Sequence, residues 1–372
     1  MVKAVETAPR TSAAKDTEIR RKNDRFRHES VKTACPKFFM QASGGVTCCH
    51  LPGRDLACDD RGPCSAEVHR DLANLHHFHR PRCHLNLSMP ELPEVETMRR
   101  GILKATGATI VDVQLEPCAR RPIAIKPSLA VVQKSLIGTK ITAIERLGKR
   151  VVVRAGDDFH LILEPRMTGL VLVSDPPSRE HLRLRIDLAG SVLPSIWYWD
   201  RRGLGSIQLY RTAELEAQLL SGKLGPDALA ISKDDFSARL KRTSRAIKVA
   251  LLDQQIVAGV GNLYASEILH LAAIDPKCRA NKLTRQQLDL LHDKMLEVLH
   301  TAILHEGSTL SDGTYRNALA QAGNYQNMHR VYDREHEPCP TCLSPIQRIV
   351  QAQRSTFFCA ACQRPSRKKP LK

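Results

Sequence analysis

Two cysteine pairs near the C-terminus, Cys339-Pro-Thr-Cys342 and Cys359-Ala-Ala-Cys362, stand sixteen residues apart. Each pair presents two thiolates from one tight turn. Two such knuckles at this separation can surround one Zn²⁺ tetrahedrally. With all four ligands drawn from the protein, no position is left for water, so the ion implied is structural. A short hairpin has little core of its own, and metal binding supplies much of its folding energy. At the hairpin tip, "QAQRSTFF" sets Arg354 beside the second knuckle, where its guanidinium can fork onto a phosphate.

A second constellation lies at Pro90 and Glu91, in "SMPELPEVET". Inside a chain, Pro-Glu is a helix-entry signal. At an N-terminus the same proline carries a secondary amine. An α-amino group titrates near about 7.7–8, against about 10.4 for lysine, so more of it is unprotonated at neutral pH. Such an amine can attack an electrophilic carbon, a sugar C1′ for example, and form an iminium. Glu91 beside it can shuttle protons. The chemistry hangs on one bond. While Met89 remains attached, the Pro90 nitrogen is a tertiary amide with its lone pair in resonance. Met89 reads as the true start, since a small second residue permits methionine removal; cleavage upstream is the alternative.

A third stretch is "IVAGVGN". Gly259 and Gly261 permit a sharp turn and close backbone approach, and Asn262 is expected to cap the helix that follows. A helix N-terminus behind a glycine turn is an anion site. Lys241, Arg242, Arg245 and Lys248 just upstream add positive charge.

The elements around these residues follow from periodicity. Pro93 suits a first helical turn, Glu94 and Glu96 suit its positive end, and Val95, Met98, Ile102 and Leu103 share a face. Strand patterns follow in "TIVDVQLEP", "KITAIERLGKRVVVRA", "HLILEPRMTGLVLVS" and "SIWYWDRRGLGSIQLY". In "HLRLRIDLA" the leucines and Ile186 alternate with His181, Arg183, Arg185 and Asp187, which predicts one buried face and one wet, basic face. From about residue 211 the pattern turns helical, in "SRAIKVALLDQ", "NLYASEILHLAA" and "LTRQQLDLLHDKMLEVLHTAIL". The last has a capping-box start at Thr284 and Gln287. The fold class expected is α+β. An antiparallel β-sandwich with a leading helix spans 89–221, a helical domain 222–336, a zinc hairpin 337–366 and a basic tail 367–372.

Residues 1–88 hold 15 Lys/Arg, 10 Asp/Glu and seven His without a lasting period, and read as a disordered extension or mis-assigned leader. Cys35, Cys48, Cys49, Cys58, Cys64 and Cys83 lie there, while Cys118 and Cys278 stand alone. In a cytosolic chain these remain thiols or metal ligands. Over all 372 residues, Lys plus Arg exceeds Asp plus Glu by 56 to 39, a formal +17. That balance favours a polyanionic partner, nucleic acid before an anionic membrane. No run of 18 apolar residues occurs, so no transmembrane helix is expected, and the start lacks the apolar stretch of a secretory signal.

Taken together, "MPELPEVETMRRGI", "GVGNLYASEIL" and the four-cysteine finger with "QRSTFFC" resemble the bacterial formamidopyrimidine-DNA glycosylase family, from Met89 to about Gln363. The resemblance implies a base-excision repair enzyme that flips an oxidised purine from double-stranded DNA, cuts its glycosidic bond and nicks the backbone by β,δ-elimination. It implies Pro90 as nucleophile, Glu91 as catalytic acid and Glu94 as a supporting acid. Lys149, in "RLGKR", would contact the lesion strand. Asn262 and Arg354 would clamp phosphates, with Lys248 nearby. Met167 and Arg202 match the family's gap-filling residues, and Leu204 stands where phenylalanine is usual. His181 matches a DNA-contact histidine. In the lesion loop, "SDGTYRNALAQAGNYQ", Gly323 and Tyr325 are familiar. "PELPEVE" favours the purine type over the sister endonuclease VIII type, which prefers oxidised pyrimidines. A non-catalytic damaged-DNA binder is the alternative if Pro90 keeps its amide. The implied protein is a cytoplasmic, nucleoid-associated monomer with one structural zinc.

Overall fold

A computed structural model describes residues 89–118, 121–310 and 312–364; the expectations for residues 1–88 and for the basic tail lie outside these. The chain enters through helix α1 (Leu92–Gly101), a short 3₁₀ turn, and then β1 (Thr109–Leu115), β2 (Ala124–Lys126), α2 (Leu129–Leu136), β3 (Ile141–Leu147), β4 (Arg150–Ala155), β5 (Phe159–Glu164), β6 (Gly169–Leu172), β7 (Leu182–Ala189), β8 (Ser195–Asp200) and β9 (Ser206–Arg211). Helices follow: α3 (Thr212–Leu215), α4 (Lys233–Lys241), α5 (Ile247–Leu251), α6 (Asn262–Leu271) and α7 (Arg285–Leu304). A hairpin of β10 (Gln347–Gln351) and β11 (Arg354–Phe358) ends the described chain.

The strands form two sheets, one ordered β1-β7-β8-β6 and the other β2-β9-β5-β4-β3. Most pairs are antiparallel, but the three-residue β2 runs parallel to β9, which the sequence pattern did not anticipate. The buried residues between the sheets are the alternating apolar positions, among them Ile110, Val113, Val151, Val153, Leu161, Leu163, Leu184 and Ile186. A second core gathers Phe236, Leu240, Leu251, Leu263, Leu269, Leu288, Met295 and Leu299 from the helices, and Phe357 and Cys359 from the hairpin.

Helix α1 belongs to both cores. Val95, Met98 and Ile102 pack into the sandwich, while Leu92 packs into the helical core. The Leu92 N–H donates to the Gly259 carbonyl at 3.1 Å. Glu96, lower on α1, draws in Arg99, Arg100 and Arg146, and Arg146 also pairs with Asp227 at 2.5 Å. Helix α1 is thereby fastened to the helical domain at two heights, directly at Leu92 and through Arg146 at Glu96. The Thr284–Gln287 capping box expected at the start of α7 is present, with reciprocal bonds of 2.9 and 3.2 Å.

Candidate active site at the junction of the two cores

Pro90 is buried and lies between two clefts. One is lined by Glu94, Met167, Ser308, Leu310, Asp312 and Tyr315, the other by Lys149, Arg150, Arg166, Gly261 and Arg354. Met89 lines both. Glu91, the residue before α1, is 2% exposed. One of its oxygens, Oε1, accepts the Leu263 N–H at 2.9 Å; Oε2 is buried without a partner among the described residues. Burial lifts its carboxyl to about 7, against the opposing pull of Lys149 and with added push from Glu94. A carboxyl poised there holds or gives a proton near neutral pH.

Glu94 is tied down more fully. Its Oε1 accepts from Tyr264 Oη at 2.5 Å and from the Ser308 N–H at 2.9 Å, and its Oε2 accepts the Glu91 N–H at 2.9 Å. Burial raises its carboxyl too, while those donors oppose the shift. The partners come from α6 and from the loop after α7, so Glu94 joins the helical domain to the first turn of α1. Lys149 sits in the tight turn between β3 and β4, behind Gly148 in the left-handed region. Burial lowers its ammonium, and the nearby Glu91 opposes this.

The "IVAGVGN" turn needs its glycines for close approach. A Cβ on Gly261 would fall 2.2 Å from the Glu91 carboxyl carbon, and Gly259, at φ +109°, lies against Leu92. The cap of α6 is Gly261, and Asn262 is the first helical residue instead of the expected cap. The backbone at the cap must close onto Glu91, and only glycine leaves that room. Asn262 Oδ1 is buried with no partner among the described residues.

Arg354 is exposed at the start of β11, after a two-residue turn at Ala352 and Gln353 with both φ positive. It lines the cleft that holds Pro90 and Lys149. Lys248, expected on the phosphate surface, is 0% exposed. Its Nζ donates to the Ser355 carbonyl at 2.8 Å and to Thr356 Oγ1 at 2.9 Å, so it fastens the hairpin bearing Arg354 to α5. Burial pulls its ammonium down to about 7. Two of the other cations upstream are also engaged: Lys241 on the Asn281 and Leu283 carbonyls, and Arg245 on Asp253.

The residues matched to gap filling run outward from the Pro90 cleft, where Met167 lies. Arg202 Nη1 lies 3.7 Å from Met167 Sδ. Arg202, Leu204 and His181 line one open basin with Arg201. The His181 ring meets Trp199 edge-on at 5.6 Å, and its Nε2 is 2.8 Å from Glu180. The wet face expected along His181, Arg183, Arg185 and Asp187 has two exceptions: His181 is 6% exposed and Arg183 2%. A register shift after Leu182 turns Arg183 under the Arg202 loop, where it donates to the Asp200 and Arg121 carbonyls at 2.9 Å. Asp200, itself buried, accepts from Thr168, the Arg202 N–H and the Gly205 N–H. Thr168 follows Met167, so one carboxylate holds both loops. Sequence reasoning missed Asp200, Thr168, Tyr264 and Ser308, whose roles come from contacts distant along the chain. A charged residue at the end of an otherwise apolar strand, as in "SIWYWD", was the available signal for Asp200.

The four hairpin cysteines have their Sγ atoms within 4.8 Å of one another. Cys339 to Cys362 is 3.9 Å and Cys342 to Cys359 is 3.4 Å. Four Zn–S bonds of about 2.3 Å in a tetrahedron place sulfurs about 3.8 Å apart, so the set fits one zinc ion. Among the described residues, no helix is long and apolar enough to cross a membrane.

Three family models match in chain order. They are the formamidopyrimidine-DNA glycosylase N-terminal domain over 89–207, its H2TH domain over 224–314, and the zinc finger found in FPG and IleRS over 337–365. The formamidopyrimidine-DNA glycosylase of Latilactobacillus sakei is 37% identical over 280 residues, covering 74% of this chain and 98% of its own. That of Chloroflexus aurantiacus is also 37% identical over 280 residues, with the same coverage. Among solved structures, wild-type Lactococcus lactis Fpg with an N7-benzyl-Fapy-dG containing DNA matches at TM-score 0.66 and 35% identity, over 74% of this chain and all of that one. The Fpg protein of Thermus thermophilus matches at TM-score 0.64 and 34% identity, over 74% of this chain and 98% of that one. With the junction carboxylates, the glycine turn and the four-cysteine set all in place, the chain belongs to the formamidopyrimidine-DNA glycosylase family.

Proposed function

We propose that this protein excises oxidised purines from double-stranded DNA and cleaves the resulting abasic site, with Pro90 as nucleophile. The observation that carries the reading is the position of Pro90, between two clefts, one walled by Glu94 and the other by Lys149 and Arg354, with Glu91 held near neutrality beside it. The Pro90 nitrogen attacks C1′ of the flipped nucleotide as the sugar ring opens, and the base then departs with the proton given up by that nitrogen. Opening of the sugar ring to the iminium needs a proton at the ring oxygen, and Glu91 supplies it. Glu94 locks the first turn of α1 so that Pro90 and Glu91 keep their aim. Lys149, Asn262 and Arg354 hold phosphates flanking the lesion, and Met167, Arg202 and Leu204 fill the gap left in the duplex. His181 supports the same face. The zinc ion, held by Cys339, Cys342, Cys359 and Cys362, supplies the hairpin with a fixed shape and takes no part in bond making.

The relatives carry the purine-type name, which supports oxidised purines over pyrimidines as substrate. Cleavage of 8-oxoguanine and thymine glycol duplexes should differ accordingly, and faster cleavage of thymine glycol would reverse the assignment. The protein works as a monomer in the cytoplasm, on the nucleoid, where its substrate lies.

The nucleophile exists only when the Met89–Pro90 bond is absent. Borohydride should trap protein that begins at Pro90 on abasic DNA and leave the 372-residue chain untrapped. A trapped adduct of the full chain, established by intact mass, would contradict Pro90 as the nucleophile.

A further inference from the structure

We infer that His270 is an outer ligand of the zinc centre, donating a hydrogen bond to the Cys339 sulfur and thereby setting the zinc hairpin in register on α6. His270 lies in the last turn of α6 and is 5% exposed. Its Nε2 is 3.4 Å from Cys339 Sγ, within hydrogen-bond reach for sulfur. Cys339 is 0% exposed, so no water can serve the thiolate. Inside the knuckle its sulfur has the Thr341 N–H at 3.5 Å, and His270 adds a donor from another element.

The ring tautomer follows from the surroundings. His270 Nδ1 is buried and has no partner among the described residues. A proton there would be a buried donor without an acceptor, which is costly, whereas a bare ring nitrogen is the cheaper orphan. The proton therefore belongs on Nε2, facing the sulfur. Hydrogen bonds of this kind orient metal ligands and temper the charge on a thiolate. Here the bond has a further consequence. The opposite end of α6 carries the Leu263 N–H held by Glu91 and the Tyr264 hydroxyl held by Glu94. Between the two ends, the Glu267 carboxylate accepts the N–H groups of Arg330, Val331 and Tyr332 at 2.8–3.0 Å. One helix thus sets both the carboxylate corner and the first knuckle of the zinc hairpin that bears Arg354.

The test uses the full chain with zinc replaced by Co²⁺. A hydrogen bond lowers the energy of the thiolate lone pair, so its loss in His270→Phe should move the sulfur-to-cobalt charge-transfer band to longer wavelength. The zinc form of the same variant should release its ion to a chromophoric chelator about tenfold faster. His270→Gln, which retains an N–H donor, should restore most of both. A band and a release rate unchanged in His270→Phe would overturn the inference. If that variant fails to fold, the unaltered chain loaded with spin-active cadmium decides. An imidazole N–H coupled to the metal through sulfur supports the bond, and its absence overturns it.

Discussion

The two ends of α6 hold their charged groups by opposite means. At the N-terminal end, Glu91 and Glu94 are buried carboxyls held by N–H and O–H donors from α6 and the loop after α7. At the other end, the four thiols of the hairpin are arranged for a metal ion. Donors leave Glu91 with one buried oxygen unpartnered among the described residues and its carboxyl near 7, able to exchange a proton. A closed tetrahedral metal site leaves no such freedom. Chemistry needs the first arrangement, while placement of Arg354 needs the second.

The largest expected effect breaks the carboxylate end alone. In protein beginning at Pro90, Glu91→Gln should slow base excision by about 10²–10⁴-fold, the usual weight of a positioned acid. Binding to a lesion duplex should stay within about twofold. Comparable loss of both would mean that Glu91 shapes the DNA surface and has no acid role. Zinc removal should do the reverse. Chelation should weaken lesion-duplex binding by about tenfold or more and open residues 337–364 to protease, since metal supplies the hairpin's folding energy. The sandwich should resist digestion. A hairpin still protected after zinc loss would show that Lys248 and Phe357 suffice to hold it.

Gly261→Ala tests how tightly the glycine turn closes on Glu91, because the added Cβ cannot fit beside that carboxyl without movement. Excision should fall about 10²-fold, as small misplacements near a reacting centre do, with a much smaller change in binding. Retained excision would show that the corner yields. Arg354→Ala should weaken binding severalfold and flatten its salt dependence by about one unit, the mark of one lost phosphate contact. An unchanged slope would remove Arg354 from the phosphate contacts.

The smallest effect is thermodynamic. The folded Glu91 carboxyl titrates near 7, above its ordinary 4.5. The fold holds that proton while the unfolded chain gives it up, so this group's contribution is full below 4.5 and is lost as pH rises toward 7. Glu91→Gln removes that loss. Its Tm relative to the parent chain should climb by a few degrees across the window, read by scanning calorimetry. A flat difference would mean that burial does not hold the proton on Glu91.

The legibility of these regions follows the distance between partners. The zinc ligands lie within one hairpin, so their spacing states the site. Helix α1, the alternating strands and the capped α7 were readable because each depends on neighbours a few residues away. The polar contacts that complete the carboxylate corner were not. Glu91 meets Leu263 and Glu94 meets Ser308, pairings that no local period encodes. Lys248 misled for a related reason: a lysine within a basic stretch looks solvent-facing until the hairpin is folded over it. Arg183 did so as well, because one register shift moved it from the wet face to the interior.

By itself, then, the sequence determined the local elements, the four thiolates, the glycine turn and a proline whose amine depends on one peptide bond. Tertiary structure alone decided that α1 straddles two cores and that α6 aims one end at Glu91 and Glu94. It also decided that the other end brings His270 to a zinc ligand. The reason is physical. A metal knuckle or an amphipathic period is satisfied by residues close along the chain. A buried carboxyl takes its proton affinity from whatever surrounds it in space.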